Sequence, residues 1–578
     1  MTRPLKALSV GNFKAFAETQ RIPLKPITLI FGPNSAGKSS FLHSLVLAHE
    51  AQFSRGKRSL SRLDVHHTEI GGTAIDLGGF RQYVHRGQLN KRVEWGAELQ
   101  VSRLSGRLAQ LLTPVKTVTL NLALGIELDN EDRPKPGAEP RVEAVELLGD
   151  GTELLRMSHR RSDTQEGLLR LDRLANEHPV FRQILKAIVE SSTTSEEMRP
   201  EDFDGAAATI ADLLPQLQVR MRSLFPEGVA LPQANEGELS PAELLFPVSK
   251  GNRREDLANA IRFYLPRTLN DLLKGMADAL ATELEKFQYL GPLRSFPSRH
   301  FAFADHEDSN WYAGGGYAWD VVRRDEAVRN AVNGWLGAKN LKTPYELRVR
   351  SFVALDEMIE PLEQGLDEVY KAAIQAGIDS VSKLPEEMLA RGDYNVYETF
   401  ETLDEIGAQT DQLVDAVESS SAKRIQELVL VDQRTGTVVT HRDVGIGISQ
   451  VLPVLVAAYG AEGKLLGMEQ PEIHLHPALQ AELGDVFIES ALGDQQNTFI
   501  LETHSEHLML RLLRRIRETT DEELPEGIRP LTPDDICVVY IKPERTGSEA
   551  VALEVTPDGD FADHWPEGFF AERAKELF

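Results

Sequence analysis

The fold is decided by the stretch Ile27-Thr28-Leu29-Ile30-Phe31-Gly32-Pro33-Asn34-Ser35-Ala36-Gly37-Lys38-Ser39-Ser40. Its second part fits G-x-x-x-x-G-K-[ST] at every defined position, between a predicted buried strand over 27–31 and a predicted helix over 39–50. Glycines let backbone N–H groups turn inward around phosphates, at a helix N-terminus whose dipole favours anions. The stretch therefore predicts a phosphate loop over residues 32–39, with Ser40 as a further nucleotide-binding residue. Lys38 would reach the β- and γ-phosphates of a nucleotide, and Ser39 would ligate Mg²⁺.

The composition indicates an acidic globular chain. Its 578 residues exceed what one ordinary core organises, and its net charge is −26. Such a surface repels nucleic acid, so any DNA contact needs a local basic patch. The single cysteine, Cys537, excludes an intrachain disulfide framework and a multi-cysteine zinc site. No stretch approaches the roughly 18 to 20 apolar residues of a membrane span and no signal core is apparent, so we expect a cytoplasmic protein.

Hydrophobic periodicity divides the chain into an α/β head and insertions. Residues 92–158 alternate like an antiparallel meander, 165–290 are mostly helical in pattern, and 426–442 predict a hairpin. From residue 443 onward, helices and strands alternate as in an α/β core. We predict a split head with a mainly helical central insertion. Its parts are head lobe I (1–130), a mixed or helical insertion (131–285), a segment returning to the head (286–355), a helical insertion (356–425) and head lobe II (426–578).

A second motif is a short apolar strand that ends in a carboxylate, Leu465-Leu466-Gly467-Met468-Glu469, followed by Gln470-Pro471-Glu472-Ile473-His474-Leu475-His476-Pro477. A carboxylate in this place can hold the Mg²⁺ shell of a bound nucleotide, and Glu469 takes that role. Alternatively, Glu469 merely faces solvent at the end of a buried strand. His474 and His476 could form a metal pair, although no third ligand is apparent.

Two further motifs carry polar residues at element ends. The segment 443–450 is a glycine-rich turn that opens an apolar helix; Gly447, Ser449 and Gln450 can cradle an anion, or Ser449 can be a plain helix N-cap. The segment 498–505 is a strand that ends at Glu502 and is followed by His504. A neutral histidine there can hydrogen-bond a γ-phosphate or an attacking water, or it is a loop histidine without a chemical role.

The four motifs in this order resemble the ABC-type ATPases of the SMC and RecF group. Within that group, the chain is most similar to short bacterial AAA-type ATPases with a C-terminal domain of unknown function. Chains of this type resemble ATPases of anti-phage defence systems such as Septu and retron-associated systems. Besides the phosphate loop, the resemblance rests on Asn12-Phe13-Lys14, Tyr289-Leu290-Gly291-Pro292-Leu293-Arg294, 445–450, 469–477, 502–507 and Trp565-Pro566-Glu567-Gly568-Phe569-Phe570.

The resemblance implies an ATP- and Mg²⁺-dependent dimer in which two heads sandwich the nucleotide. Ser449 and Gly447 of one copy would cap the γ-phosphate held by the other. His504 would be the switch histidine. Gln82, rather than Gln88, would sense Mg²⁺ or water, so the implied metal-binding residues are Ser39, Glu469 and Gln82.

One departure from the family pattern concerns hydrolysis. Many members follow the Walker B carboxylate with a glutamate that polarises the attacking water, and here that position is Gln470. An amide cannot accept a proton as a carboxylate can. We therefore expect slow turnover, with Glu472, Glu502 or His504 in the missing role.

Three functions remain open at this point. The first is a slowly hydrolysing switch that dimerises around ATP, possesses no nuclease of its own, and controls a separate effector such as a nuclease or toxin. The second is a RecF-like DNA-repair ATPase that clamps DNA, and the third is an ATP-binding scaffold with negligible turnover. Two basic clusters bear on the second, since each is either a DNA contact or a solvated face: Arg55, Lys57, Arg58 and Arg62, then Arg511, Arg514, Arg515 and Arg517.

Overall fold

The computed structural model describes residues 4–53, 63–160, 167–191, 200–230, 253–294, 311–337, 343–353, 385–392, 424–439 and 446–562, with scattered positions between 365 and 382. The chain forms two compact units. The first comprises Met1–Phe296, His306–Thr343 and Arg442–Phe578, and the second comprises Pro297–Asp305 and Pro344–His441. In the described part, no helix has the length and apolar character needed to cross a membrane.

Strands and helices alternate unevenly along the described residues. The strands are β1 (Leu5–Gly11), β2 (Gln20–Pro23), β3 (Ile27–Phe31), β4 (His67–Thr68), β5 (Gly72–Asp76), β6 (Val93–Gln100), β7 (Thr117–Gly125), β8 (Arg141–Gly149), β9 (Thr152–Ser158), β10 (Leu168–Leu174), β11 (Gln218–Arg222), β12 (Phe225–Ala230), β13 (Phe287–Leu290), β14 (Tyr345–Val353), β15 (Arg424–Asp432), β16 (Thr437–Val439), β17 (Leu465–Glu469), β18 (Thr498–Glu502), β19 (Ile536–Pro543) and β20 (Ser548–Leu553). The helices are α1 (Lys38–Phe53), α2 (Phe80–Tyr83), α3 (Gly106–Leu111), α4 (Pro179–Ser191), α5 (Pro200–Leu213), α6 (Arg253–Glu285), α7 (Tyr317–Arg324), α8 (Glu326–Leu336), α9 (Glu386–Arg391), α10 (Ile446–Gly460), α11 (Pro477–Leu492) and α12 (Glu506–Thr520).

A six-stranded sheet in the order β13-β17-β18-β3-β19-β20 forms the centre of the first unit. All neighbours are parallel except the β19–β20 pair. Its strands β3, β17 and β18 are buried throughout, as expected for a parallel sheet covered on both faces. The register pairs Glu469 with Glu502, and Glu502 with Ile30. The ends of three adjacent strands therefore meet at one carboxyl edge, beside the loop that follows β3.

The first unit also contains a nine-stranded antiparallel sheet, β12-β11-β10-β9-β8-β7-β6-β1-β2, and a two-stranded one, β4-β5. Alternating burial along β7 and β8 confirms the predicted meander. The sheet continues beyond residue 130 through β12, so the segment 131–285 contributes five strands to it as well as helices α4–α6. The mostly helical pattern expected over 165–290 is wrong for β10, where apolar residues at 168, 171 and 174 also fit helical spacing. Hydrogen bonding to β9 and β11 makes this segment a strand and not a helix.

The second unit contains a three-stranded antiparallel sheet, β14-β15-β16. The hairpin predicted over 426–442 is confirmed, with its turn at 433–436 between β15 and β16. It belongs to the second unit and not to head lobe II, because β15 pairs along its whole length with β14. Likewise, the segment 286–355 is divided: β13 joins the parallel sheet, whereas β14 lies in the second unit. Most of the 356–425 insertion, the cluster 55–62 and the tail 565–570 lie outside the described residues.

Candidate phosphate-binding edge

The phosphate loop packs tightly against two other segments of the chain. A Cβ on Gly32 would lie 2.6 Å from the carbonyl oxygen of Ile541, and one on Gly37 would lie 2.1 Å from the Ala15 Cβ. Both glycines also have positive φ values, 149° and 95°. A side chain is therefore excluded both by the lack of space and by the backbone conformation. The Ser548 hydroxyl donates to the carbonyl oxygen of Ala36 at 2.6 Å. The loop between β3 and α1 therefore has little freedom to take another shape.

Lys38 lies inside this loop. It is only 4% exposed, and its Nζ donates to the carbonyl oxygens of Gly32 at 3.2 Å and Pro33 at 3.0 Å. Burial lowers the pKa of its ammonium group, and nearby carboxylates, Glu502 first, oppose that shift. A buried ammonium whose neighbours are backbone carbonyls is suited to exchange them for phosphate oxygens.

Three buried carboxylates lie at the carboxyl edge, and we call Glu469, Glu472 and Glu502 the acidic edge. Within the described residues, none of them has a lysine or arginine nitrogen within 4.0 Å. One oxygen each of Glu472 and Glu502 has no hydrogen-bond partner in that part of the chain. Burial, then the charge of Glu469, raises the pKa of the Glu502 carboxyl to about 7, and burial also raises that of Glu472. The acidic edge therefore favours the arrival of positive charge.

The donors at this edge fit Mg²⁺. The Ser39 hydroxyl lies close enough to Glu502 to lower the pKa of its carboxyl, and hydroxyl and carboxylate oxygens are hard ligands of the kind that Mg²⁺ prefers. The described residues contain no cluster of three or more His, Cys, Asp or Glu side chains arranged as a metal cage. Mg²⁺ in nucleotide sites characteristically takes one or two protein oxygens and completes its shell with phosphates and water. Ser39 and Glu469 are the residues that would hold it here.

The Glu469 side chain is held from two sides. The Tyr289 hydroxyl donates to its Oε1 at 2.9 Å, and the His43 Nε2 lies 3.3 Å from the same oxygen. The other ring nitrogen of His43, Nδ1, is 2.6 Å from the Nζ of Lys14. Burial lowers the pKa of Lys14 to about 8. A chain of contacts thus runs from Lys14 through His43 to Glu469.

Gln470 occupies a strained backbone position beside Glu502. Its φ is 45°, in the left-handed region that non-glycine residues rarely adopt, and its N–H donates to the carbonyl oxygen of Glu502 at 2.7 Å. The neighbouring Glu472 accepts a hydrogen bond from the His504 N–H at 2.8 Å. Burial, then the charge of Lys38, lowers the pKa of the His504 imidazole, which therefore favours its neutral form. The structure thus brings Gln470, Glu472, Glu502 and His504 together at one edge of the sheet.

Arg294 connects this edge to the start of α10. It is 5% exposed and donates to the carbonyl oxygens of Gln450 at 3.0 Å, Glu469 at 3.3 Å and Gln470 at 2.9 Å. In return, Gln450 Nε2 donates to the Arg294 carbonyl oxygen at 3.4 Å. Burial lowers the pKa of Arg294 to about 10. The charge of Glu472 opposes that shift, so the buried guanidinium is compensated by one nearby carboxylate and by the carbonyl oxygens it binds.

The remaining predicted residues are placed less favourably for the roles that the sequence predicts for them. Ser449 is 2% exposed in the single chain, so contact with a second copy requires the start of α10 to be uncovered. A Cβ on Gly447 would lie 2.8 Å from the His474 carbonyl oxygen, which places this segment over the loop after β17. His476 caps α11 by accepting from the Ala478 N–H at 3.3 Å. Gln82 is exposed in the short helix α2, and its side chain lies against Gly78.

The second basic cluster is paired with acids of α11 and α12. We call Arg511, Arg514 and Arg515, with Glu482, Asp485 and Glu518, the arginine cluster. Asp485 accepts from Arg511 at 2.6 Å and from Arg515 at 2.7 Å. Hydrogen bonds to Asp485 raise the pKa of Arg515. These arginines fit the alternative of an ion-paired helix face.

Two family models match separate parts of the chain. One, described as an AAA domain, putative AbiEii toxin, type IV TA system, matches residues 288–510, and another, described as an AAA domain, matches residues 7–122. Together these segments contain the phosphate loop, Glu469 and His504, and they support an ATPase of AAA type. Among curated proteins, none matches the chain.

Solved structures give more distant similarities. The chain is similar to an SMC head bound to the C-winged helix domain of ScpA (9% identity, 95% of this chain and 97% of that one, TM-score 0.31) and to the SMC head domain from Thermotoga maritima (9%, 95% and 99%, 0.30). It is also similar to an Smc head domain with an extended coiled coil bound to the C-terminal domain of ScpA, from Pyrococcus furiosus (11%, 100% and 98%, 0.31). The predicted α/β P-loop head is confirmed by the strand order and the loop position themselves.

Several residues of this edge escaped sequence reasoning. Tyr289 and Arg294 contact residues 156 to 180 positions away in the sequence, and His43 contacts Glu469, which is further still. A partial signal existed for Tyr289 and Arg294, because both lie in the segment 289–294 that the family resemblance singled out. No such signal existed for His43, because the presence of a histidine in the helix after a phosphate loop does not predict a particular contact.

Proposed function

We propose that this chain is an ATP-gated switch. It binds Mg²⁺-ATP at the carboxyl edge of its parallel sheet, dimerises around the nucleotide, hydrolyses it slowly and passes the change to a separate effector protein. The observation that carries this proposal is the convergence of the phosphate loop and the acidic edge at the ends of β3, β17 and β18. A phosphate–metal complex supplies both the anion that the loop favours and the cation that the acidic edge favours.

Slow hydrolysis follows from the residues near the expected γ-phosphate. Gln470 cannot accept the proton of the attacking water. Glu502 is the best-placed replacement, because its pKa of about 7 suits a general base near neutral pH. Glu472 is the alternative: one of its oxygens accepts from the His504 N–H, and the other has no hydrogen-bond partner in the described residues.

Coupling to a partner would use Arg294 and α10. Arg294 binds the main chain at both Glu469 and Gln450, so a displacement of the loop after β17 on nucleotide binding would be transmitted to α10. Movement there would also uncover Ser449 for a second copy. The description of one matching family model mentions a putative toxin of a type IV TA system. The separate effector and the role in anti-phage defence are proposed by family analogy.

The test is a comparison of the wild-type chain with Lys38→Ala and Glu502→Gln. We expect Lys38→Ala to lose ATP binding, and Glu502→Gln to bind ATP, turn over more slowly and accumulate as an ATP-dependent dimer in light scattering. An ATP-binding scaffold, which Gln470 favours as the second candidate, would instead show no turnover in the wild type. Brisk wild-type turnover that Glu502→Gln leaves unchanged would show that the assignment of Glu502 is wrong.

A further inference from the structure

The contacts of Glu469 fall on one of its two oxygens. Tyr289 and His43 both approach Oε1, at 2.9 Å and 3.3 Å, from β13 and α1. A hydroxyl donor and an imidazole nitrogen at one oxygen restrict the plane of the carboxylate. Among the described residues, neither a hydrogen bond nor an ion pair reaches the second oxygen, Oε2. The side chain is therefore oriented before any cation arrives.

The state of the His43 ring follows from its two neighbours. A lysine ammonium only donates hydrogen bonds, so the Nδ1 of His43 must accept from Lys14, at 2.6 Å. The hydrogen of a neutral ring is then on Nε2, which faces Glu469 Oε1. An ionised carboxylate only accepts, so both ends of the chain require the same tautomer.

We infer that His43 and Tyr289 are positioning residues that orient Glu469 toward the nucleotide-bound metal, and that Lys14 fixes the His43 tautomer. This inference rests on the proposed function, because it assigns a role to neighbours of the carboxylate that would hold the metal. Outer partners of metal-binding groups set ligand orientation, and their loss characteristically costs about 10- to 100-fold in metal affinity or activity.

Two substitutions at the same position separate the two contacts. A glutamine amide nitrogen stands near the position of Nε2, so His43→Gln keeps a donor to Glu469 and loses the Lys14 contact. An asparagine amide stands near Nδ1, so His43→Asn keeps the Lys14 contact and loses the donor to Glu469. Tyr289→Phe removes only the other donor. His49→Asn, six residues further along α1, is the matched control, because the ion pair with Glu469 is made by His43.

The measurement is the affinity of the full chain for ATP in Mg²⁺ and in EDTA, since the ratio of the two reports the metal's contribution. We expect His43→Asn and Tyr289→Phe each to reduce that ratio by about tenfold, with His43→Gln and His49→Asn close to wild type. The electron paramagnetic resonance spectrum of Mn²⁺ bound with ATP should change in the same two variants.

Equal ratios in His43→Asn and His43→Gln, whether both normal or both reduced, would overturn the inference, because a merely structural role does not distinguish the two amides. If His43→Asn fails to fold, an unchanged ratio in Tyr289→Phe overturns it instead. The proposed function fails separately: it fails if the wild type binds no ATP, if the wild type shows no ATP turnover, or if Lys38→Ala binds ATP as well as the wild type.

Discussion

The acidic edge and the arginine cluster both hold three carboxylates in the first unit, yet their surroundings differ. In the arginine cluster, every carboxylate has an arginine nitrogen within 2.8 Å. In the acidic edge, no lysine or arginine nitrogen of the described residues comes within 4.0 Å of a carboxylate. The two places hold the same number of carboxylates, but only the arginine cluster also holds basic side chains. The difference lies in whether the fold itself supplies a cationic partner for the carboxylates.

This contrast separates a structural cluster from a binding site. Charges that are paired inside the chain have no unsatisfied interaction left for a ligand, and their pairing stabilises the packing of α11 on α12. Buried carboxylates without a paired cation destabilise the empty protein, and that cost is recovered when a cation binds. The predictions below test whether the two regions respond in opposite ways.

The largest effect should come from Lys38→Ala. Loss of a charge-assisted contact to phosphates should weaken ATP binding by about 100-fold, given roughly 1.5 to 3 kcal/mol for a hydrogen bond to a charged group. Equilibrium dialysis or calorimetry of the full chain measures this. Arg514→Ala, which removes a cation of the arginine cluster, is the control and should leave ATP affinity unchanged.

Asp485→Asn should destabilise the protein by about 3 kcal/mol, because it leaves Arg511 and Arg515 without their shared partner. Chemical denaturation monitored by circular dichroism gives the free energy of unfolding. ATP affinity should not change. If ATP affinity fell while stability stayed constant, the arginine cluster would belong to the binding site and the contrast would disappear.

In the protein without nucleotide or Mg²⁺, Glu502→Gln should increase the free energy of unfolding, whereas Asp485→Asn decreases it. A folded-state pKa of about 7 means that the native carboxyl holds a proton which the unfolded chain, with a pKa near 4.5, has already released. Stability from this group is therefore lost as pH rises from about 4.5 to 7. Between pH 5 and 8, the wild type should lose about 2 kcal/mol relative to Glu502→Gln. If the free energy of unfolding changed with pH in the same way in both proteins, a raised pKa of Glu502 would be contradicted.

The smallest effect should come from Arg514→Ala. Its guanidinium is 58% exposed and pairs with Glu518 along α12, so its loss should cost at most about 0.5 kcal/mol. The same variant tests the clamp hypothesis: DNA binding measured at low salt should not change. A clear loss of DNA affinity would show that this arginine serves nucleic acid.

Local patterns predicted the parts of the site that lie next to one another in sequence. The phosphate loop, the strand-final Glu469 and Glu502, and the hairpin at 433–436 all depend on short stretches, and their placement follows from adjacent strands. The contacts of Tyr289 and Arg294 could not be derived in this way, because each depends on which distant strand packs beside β13. The strand β10 was misread because its leucine spacing satisfies two periodicities, and neighbouring strands decided between them.

Gln82 shows the limit of reasoning by resemblance. The sequence places a glutamine in the right region, but the structure shows its side chain exposed against Gly78. Its predicted role toward Mg²⁺ remains a proposal that depends on movement of α2. Ser449 presents a similar case, since its predicted contact with a second copy depends on uncovering a side chain that the single chain buries.

The central claim is that the phosphate loop and the acidic edge form one Mg²⁺-dependent ATP site. Calorimetric titration of ATP into the wild type and into Ser39→Ala, each with Mg²⁺ and with EDTA, tests it most directly. We predict that Mg²⁺ tightens wild-type binding by at least about tenfold, and that Ser39→Ala loses most of this gain while still binding ATP in EDTA. Equal affinities with and without Mg²⁺ in the wild type, or no ATP binding at all, would contradict the claim.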